Sequence, residues 1–171
     1  HLFGAESLEA LSEGMRDSQH EGYGNDNTSK YYHFLVSNLF TNQNLDKDLL
    51  LGYDQNIYRH TQKISENRTQ AIRWKYFQYL SMLFTEIYLD RYFQDKNALL
   101  SSLNEFVERF NDPFYQYAKF YNPTGFIVDK FELSDLHKLA FWNATGSGKT
   151  LVMHVNIKQY MYYLSKYRQG T

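Results

Sequence analysis

Apolar residues recur along this chain at the helical period, and the recurrence breaks at polar turns. Leu8, Leu11 and Met15 place a short amphipathic helix over 5–17, with Ser7 as its cap and Glu9 and Glu13 on the outer face. The polar, glycine-rich stretch from Ser18 to Ser29 reads as a loop, in which Asp26 serves helix-start chemistry rather than metal binding. Tyr32, Leu35, Val36, Leu39 and Phe40 mark a second helix over 30–40, broken by Thr41-Asn42-Gln43-Asn44. A third opens near Asp46 and runs through Leu49, Leu50, Tyr53, Ile57 and Ile64 to the turn at Ser65-Glu66-Asn67-Arg68, with Gly52 its weak point.

From Ala71 to Phe93 the apolar side chains surround the predicted helix almost completely, which places it in the middle of a bundle. Lys75, Glu86, Asp90 and Arg91 exclude a membrane span there. Asp95 caps the next helix, whose Leu99, Leu100, Leu103, Phe106, Val107 and Phe110 keep the helical spacing without error until Asn111-Asp112-Pro113 stops it. Helices joined by short polar turns predict an all-α bundle over residues 1–120. Beyond Pro113 the pattern changes. Phe114 to Tyr121 suits one more helix, Asn122-Pro123-Thr124-Gly125 a turn, and Phe126-Ile127-Val128 and Phe131-Glu132-Leu133 short extended pieces. The domain boundary is expected near residue 120.

The second expected domain, 121–171, carries the chemistry. The apolar run Leu139-Ala140-Phe141-Trp142 predicts a strand, Ala144-Thr145-Gly146-Ser147-Gly148-Lys149-Thr150 a glycine-rich turn, and Leu151 to about Tyr167 a helix. Strand, glycine turn and helix in that order form the setting of a phosphate-binding loop. Gly146 and Gly148 lack a β-carbon, so the backbone can curl and present successive N–H groups to phosphate oxygens. The helix adds unsatisfied donors and the positive end of its dipole. Lys149 supplies a point charge for β- and γ-phosphates, and the Thr150 hydroxyl is placed to ligate Mg²⁺. Thr145, Gly146, Ser147, Gly148, Lys149 and Thr150 are therefore the candidate nucleotide-binding residues, with ATP and Mg²⁺ the cofactors. In the helix that follows, Met153, Ile157, Tyr160, Met161 and Leu164 form one apolar stripe, and Val152, Val155 and Tyr163 another.

The Ala-Thr-Gly-Ser-Gly-Lys-Thr string resembles motif I of superfamily 2 helicases and translocases. With Phe141-Trp142-Asn143 before it and Leu151-Val152-Met153-His154 after it, it is most similar to the ATPase subunit of type III restriction endonucleases. About thirty residues carry the resemblance, and Asn143 stands where the general pattern has its first glycine. The resemblance implies the first strand, loop and helix of a RecA-like α/β motor, ATP hydrolysis coupled to movement on double-stranded DNA, and a modification subunit as partner. No glutamine upstream of the loop matches the family's adenine-reading motif; Gln116 lies far back. A carboxylate on a later strand would complete the site, so this chain reads as the N-terminal part of a larger motor and is expected not to turn over ATP by itself.

Composition narrows the alternatives. A formal net charge of −1 lacks the basic excess of a general polyanion binder. Zero cysteines exclude disulfides and thiolate chemistry, which fits the reducing cytoplasm. No uncharged apolar stretch reaches the ~18 residues of a membrane helix, so no membrane partner is expected. The 16 Tyr, 13 Phe and 2 Trp fall mostly at helical spacing beside Leu and Ile, which assigns them to core packing before base stacking. Arg68, Arg73 and Lys75 beside Trp74 form a candidate phosphate-and-base contact, or a helix-start charge cluster next to a buried ring. The six histidines show no metal spacing, and His154 reads as a helix-surface residue. Two further function classes remain: a helical interaction module attached to a P-loop protein, and a P-loop phosphotransferase.

Overall fold

The computed structural model describes residues 3, 8–38, 46–112, 114 and 125–168. Among the described residues there are six α-helices: α1 Leu8–Glu13, α2 Lys30–Asn38, α3 Lys47–Ser65, α4 Tyr76–Gln94, α5 Lys96–Asn111 and α6 Lys149–Arg168. The protein is mainly helical. The expected helix over Phe114 to Tyr121 and the turn before Gly125 lie outside the described residues, apart from Phe114 and Gly125 themselves.

Contacts divide the chain into two compact units, His1–Leu89 with Asn143–Thr171, and Asp90–Trp142. This differs from a boundary at residue 120. The reason is that α6 closes the hydrophobic core of the N-terminal helices, to which Val152 and Val155 contribute beside Leu35, Leu50, Ile57, Tyr79, Met82 and Leu83. α4 is the central helix of the first unit, as its all-round apolar pattern predicted: Tyr79, Leu80, Met82, Leu83 and Ile87 are all buried.

Two buried carboxylates tie this unit together. Asp54 of α3 accepts from the Ser29 N–H at 2.8 Å, from the Ser29 hydroxyl, and from the Tyr79 hydroxyl of α4 at 2.7 Å. Ser29 also caps α2, its hydroxyl accepting from the Tyr32 N–H at 3.0 Å. Glu86 of α4 accepts from the Asn56 amide of α3 at 2.9 Å, and from the Gln159 amide and the Tyr163 hydroxyl of α6 at 2.7 and 2.6 Å. Burial raises the pKa of Asp54, and a buried carboxyl group is tolerated only when hydrogen-bond partners replace the water it has lost. These donors are what fix α6 against α3 and α4.

In the second unit Asp95 caps α5 as expected, accepting from the N–H groups of Asn97 and Ala98. The extended pieces after Gly125 form no strand, yet two asparagines of α5 hold them as a neighbouring strand would. The Asn111 side chain accepts from the Val128 N–H and donates to its carbonyl, at 2.9 and 2.8 Å. Asn104 does the same for Phe131, at 2.8 and 3.0 Å. Seven residues along a helix and three along an extended chain both span about 10 Å, so the two clamps stay in register. Lys130 pairs with Glu108 between them and holds the Glu108 carboxyl below its ordinary range.

His60 of α3 is buried, and neither ring nitrogen has a hydrogen-bond partner. Burial first, then the positive charges of Lys63, Arg59 and Lys158, push its pKa down from 6.5 to about 4. The unfolded chain therefore takes up a proton below pH 6.5 that the folded chain refuses until about pH 4. Stability is present above pH 6.5 and is lost as pH falls towards 4, by up to roughly 3 kcal/mol. His60→Leu should flatten that part of the profile, as measured by urea unfolding at pH 7.5 and at pH 4.5.

Candidate nucleotide-binding site

The glycine loop has the turn and the helix expected of it, and lacks the strand. Residues 138–148 are irregular, and among the described residues the β pairing is a single isolated bridge, Tyr23 with Ser29. A strand exists only with a partner to take its N–H and C=O groups, and among the described residues the Leu139–Trp142 run has none. Its side chains accordingly stay outside: Leu139 is 45% exposed and Trp142 99%.

From Asn143 onward the geometry is specific. The Ser147 N–H donates to the Ala144 carbonyl at 3.2 Å, closing a turn in which Gly146 stands at φ +77°. Positive φ at the third residue of a turn favours glycine. Gly148 stands at φ +78°, and its carbonyl accepts from the Leu151 and Val152 N–H groups at 3.0 and 3.2 Å as α6 begins. The N–H groups of Lys149 and Thr150 precede those bonds, so they have no partner within the helix.

Thr145, Gly146, Gly148, Lys149 and Thr150 are exposed, and Ser147 is half-buried with its hydroxyl oxygen enclosed and unpartnered. All six candidate residues fall on one turn and the first residues of α6. The Lys149 ammonium donates to the Asn143 carbonyl at 3.2 Å, reaching from the end of the loop to its start. Backbone donors at a helix start, a lysine and a hydroxyl beside them, and two glycines that leave room form a donor set that suits a polyphosphate with its magnesium ion.

One residue of the site has no signal in the motif. Gln78, in the first turn of α4, donates from its amide to the Ser147 carbonyl at 2.7 Å and accepts from the Lys75 N–H at 2.9 Å. A β-carbon at Gly148 would lie 2.6 Å from the Gln78 amide nitrogen, whereas one at Gly146 would meet nothing within 4 Å. A side chain at 148 would thus displace the Gln78 amide in addition to straining the backbone.

The other sequence candidates separate. Trp74 is buried and its indole N–H donates to the Thr61 hydroxyl at 2.8 Å, so it offers no face to a base. Lys75 pairs with Glu21 at 2.8 Å. Arg68 and Arg73 are exposed on either side of an irregular stretch, and His154 is exposed on α6. Asp26 accepts from the Thr28 N–H and hydroxyl at 3.2 and 2.7 Å within the loop, and the helix-start role expected of it falls to Ser29 instead. Among the described residues no group of His, Asp or Glu could hold a metal ion, and no helix is long and apolar enough to cross a membrane. A hollow of about 510 Å³ lined by Arg91, Gln94, Asp95, Ala98, Leu99 and Ser102 lies within the second unit and contains none of the loop residues.

No protein-family model matches this chain, and neither a curated protein nor a solved structure matches it.

Alanine at either glycine must adopt a left-handed backbone at a cost of roughly 1–2 kcal/mol. Gly148→Ala should be the more destabilising of the two, because it also displaces Gln78. Urea unfolding followed by the fluorescence of buried Trp74 will rank them; equal losses would remove the steric role of Gln78.

Proposed function

We propose that the loop at 143–150 and the start of α6 form the phosphate-binding half of an ATP site. We infer further that the chain is the N-terminal part of an ATP-dependent DNA helicase or translocase like the ATPase subunits of type III restriction systems. One observation carries the reading. Gly146 and Gly148 both take positive φ on either side of Ser147, and Lys149 and Thr150 follow at once as the exposed first residues of a helix.

In this reading the amides at the start of α6 and Lys149 hold the β- and γ-phosphates. Thr150 ligates Mg²⁺, which neutralises phosphate charge when bound. Gly146, Ser147 and Gly148 form the cradle, with Thr145 at its rim. Lys149 would exchange the Asn143 carbonyl for phosphate oxygen. Met153, Ile157, Tyr160 and Met161 are exposed along α6 while Val152, Val155 and Tyr163 are buried. The exposed stripe is the side that a motor domain's parallel sheet would cover. Double-stranded DNA and a modification subunit are the partners this assignment proposes, and the cytoplasm is the compartment.

A helical interaction module is the second reading, favoured by the packing of α6 into the same core as α2, α3 and α4. That packing also means that shortening the chain to residue 120 would remove two of the donors to Glu86, Gln159 and Tyr163. The two readings therefore need a test on the whole chain. Calorimetric titration with Mg²⁺–ATP should show saturable binding that Lys149→Ala weakens at least tenfold. Absence of binding heat in the unaltered chain would leave the module.

A further inference from the structure

The Gln78 contact goes beyond the motif, because nothing in Gly-Ser-Gly-Lys-Thr specifies a partner seventy residues upstream. Gln78 makes two bonds with opposite ends of one amide. Its carbonyl oxygen accepts the Lys75 N–H, closing half of a capping box at the start of α4, and its NH₂ donates to the Ser147 carbonyl. The side chain is therefore held at both ends, and it sits where a Gly148 β-carbon would be.

The consequence for the loop is geometric. A peptide plane has its carbonyl on one side and its N–H on the other, so fixing the Ser147 carbonyl towards α4 fixes the Gly148 N–H away from it. The planes at 147 and 148 feed directly into the helix start, where the Gly148 carbonyl accepts the first two intrahelical bonds.

We propose that Gln78 is a positioning residue of the nucleotide site: its amide latches the Ser147 carbonyl and so sets the orientation of the loop amides before any phosphate arrives. This rests on the ATP reading for its ligand and on the hydrogen bond alone for its mechanics. Gln78 itself touches no phosphate. A pre-set loop binds more tightly than one that must be ordered on binding, because the ordering cost is already met.

Gln78→Glu separates the two bonds. A carboxylate still accepts the Lys75 N–H, but it has no proton for the Ser147 carbonyl and repels it. Gln78→Met, of similar length and uncharged, removes both bonds and guards against a loss caused by charge alone. Amide hydrogen exchange and Mg²⁺–ATP calorimetry are measured on the whole chain. In Gln78→Glu, exchange should quicken at least tenfold at Leu151 and Val152, whose N–H groups bond to the Gly148 carbonyl, while α4 keeps its protection, and affinity for Mg²⁺–ATP should fall about tenfold. Gln78→Met should quicken the loop likewise. Unchanged loop exchange in both variants overturns the latch. Faster exchange with full nucleotide affinity overturns the positioning role. Faster exchange in the variants, together with no nucleotide binding by the unaltered chain, leaves the latch standing and removes the ATP reading.

Discussion

A carboxylate that water cannot reach must be met by donors, and in this protein that requirement decides where α6 goes. Glu86 takes its hydrogen bonds from Asn56 on α3 and from Gln159 and Tyr163 on α6. Hydrogen bonds to a buried carboxyl group are directional, and leaving the group unsatisfied costs its full desolvation penalty. Turning α6 by one residue would move Gln159 and Tyr163 off Glu86 together. The helix is thereby held in one rotation, with Val152 and Val155 in the core and Met153, Ile157, Tyr160 and Met161 outside. Because α6 starts at Lys149, the same constraint fixes the direction in which the loop residues face.

Much of the helical architecture was legible, and for reasons that can be named. The helix from Asp95 announced itself by a capping carboxylate and an unbroken apolar spacing, and it runs from Lys96 to Asn111. The third helix was legible from Asp46 to Ser65 despite Gly52, because packing of Leu50, Tyr53 and Ile57 outweighs the helix propensity of one glycine. The segment at 71–93 was legible as central but not in its start. Residues 71–75 are irregular, and α4 begins at Tyr76, where Gln78 caps it. A glutamine three residues into a helix is a weak signal without a serine or threonine before it.

The loss of the expected strand has the opposite cause. An apolar run is a local property, whereas a strand is a relation between two segments, and periodicity cannot say whether the second is there. The extended pieces at 128 and 131 make the same point: their partners are the side chains of Asn111 and Asn104, which no strand pattern would reveal. Within the candidate site the residue types of the loop were legible because phosphate binding restricts them severely. Gln78 was not, since the contact joins residues 69 apart and depends on how α4 and α6 meet.

The bond between Glu86 and Tyr163 also joins residues 77 apart, and the intervening chain includes all of Asp90–Trp142. The second unit is thus inserted into the first in sequence. Loop-closure entropy rises only slowly with length, so the thermodynamic cost of the insertion is modest. Its effect falls on the order of assembly. On the ribosome α2, α3 and α4 emerge with Glu86 short of two of its donors and with an open core side, and both must wait for α6 to be synthesised. α2, α3 and α4 are consequently completed only after the whole of the second unit has been made.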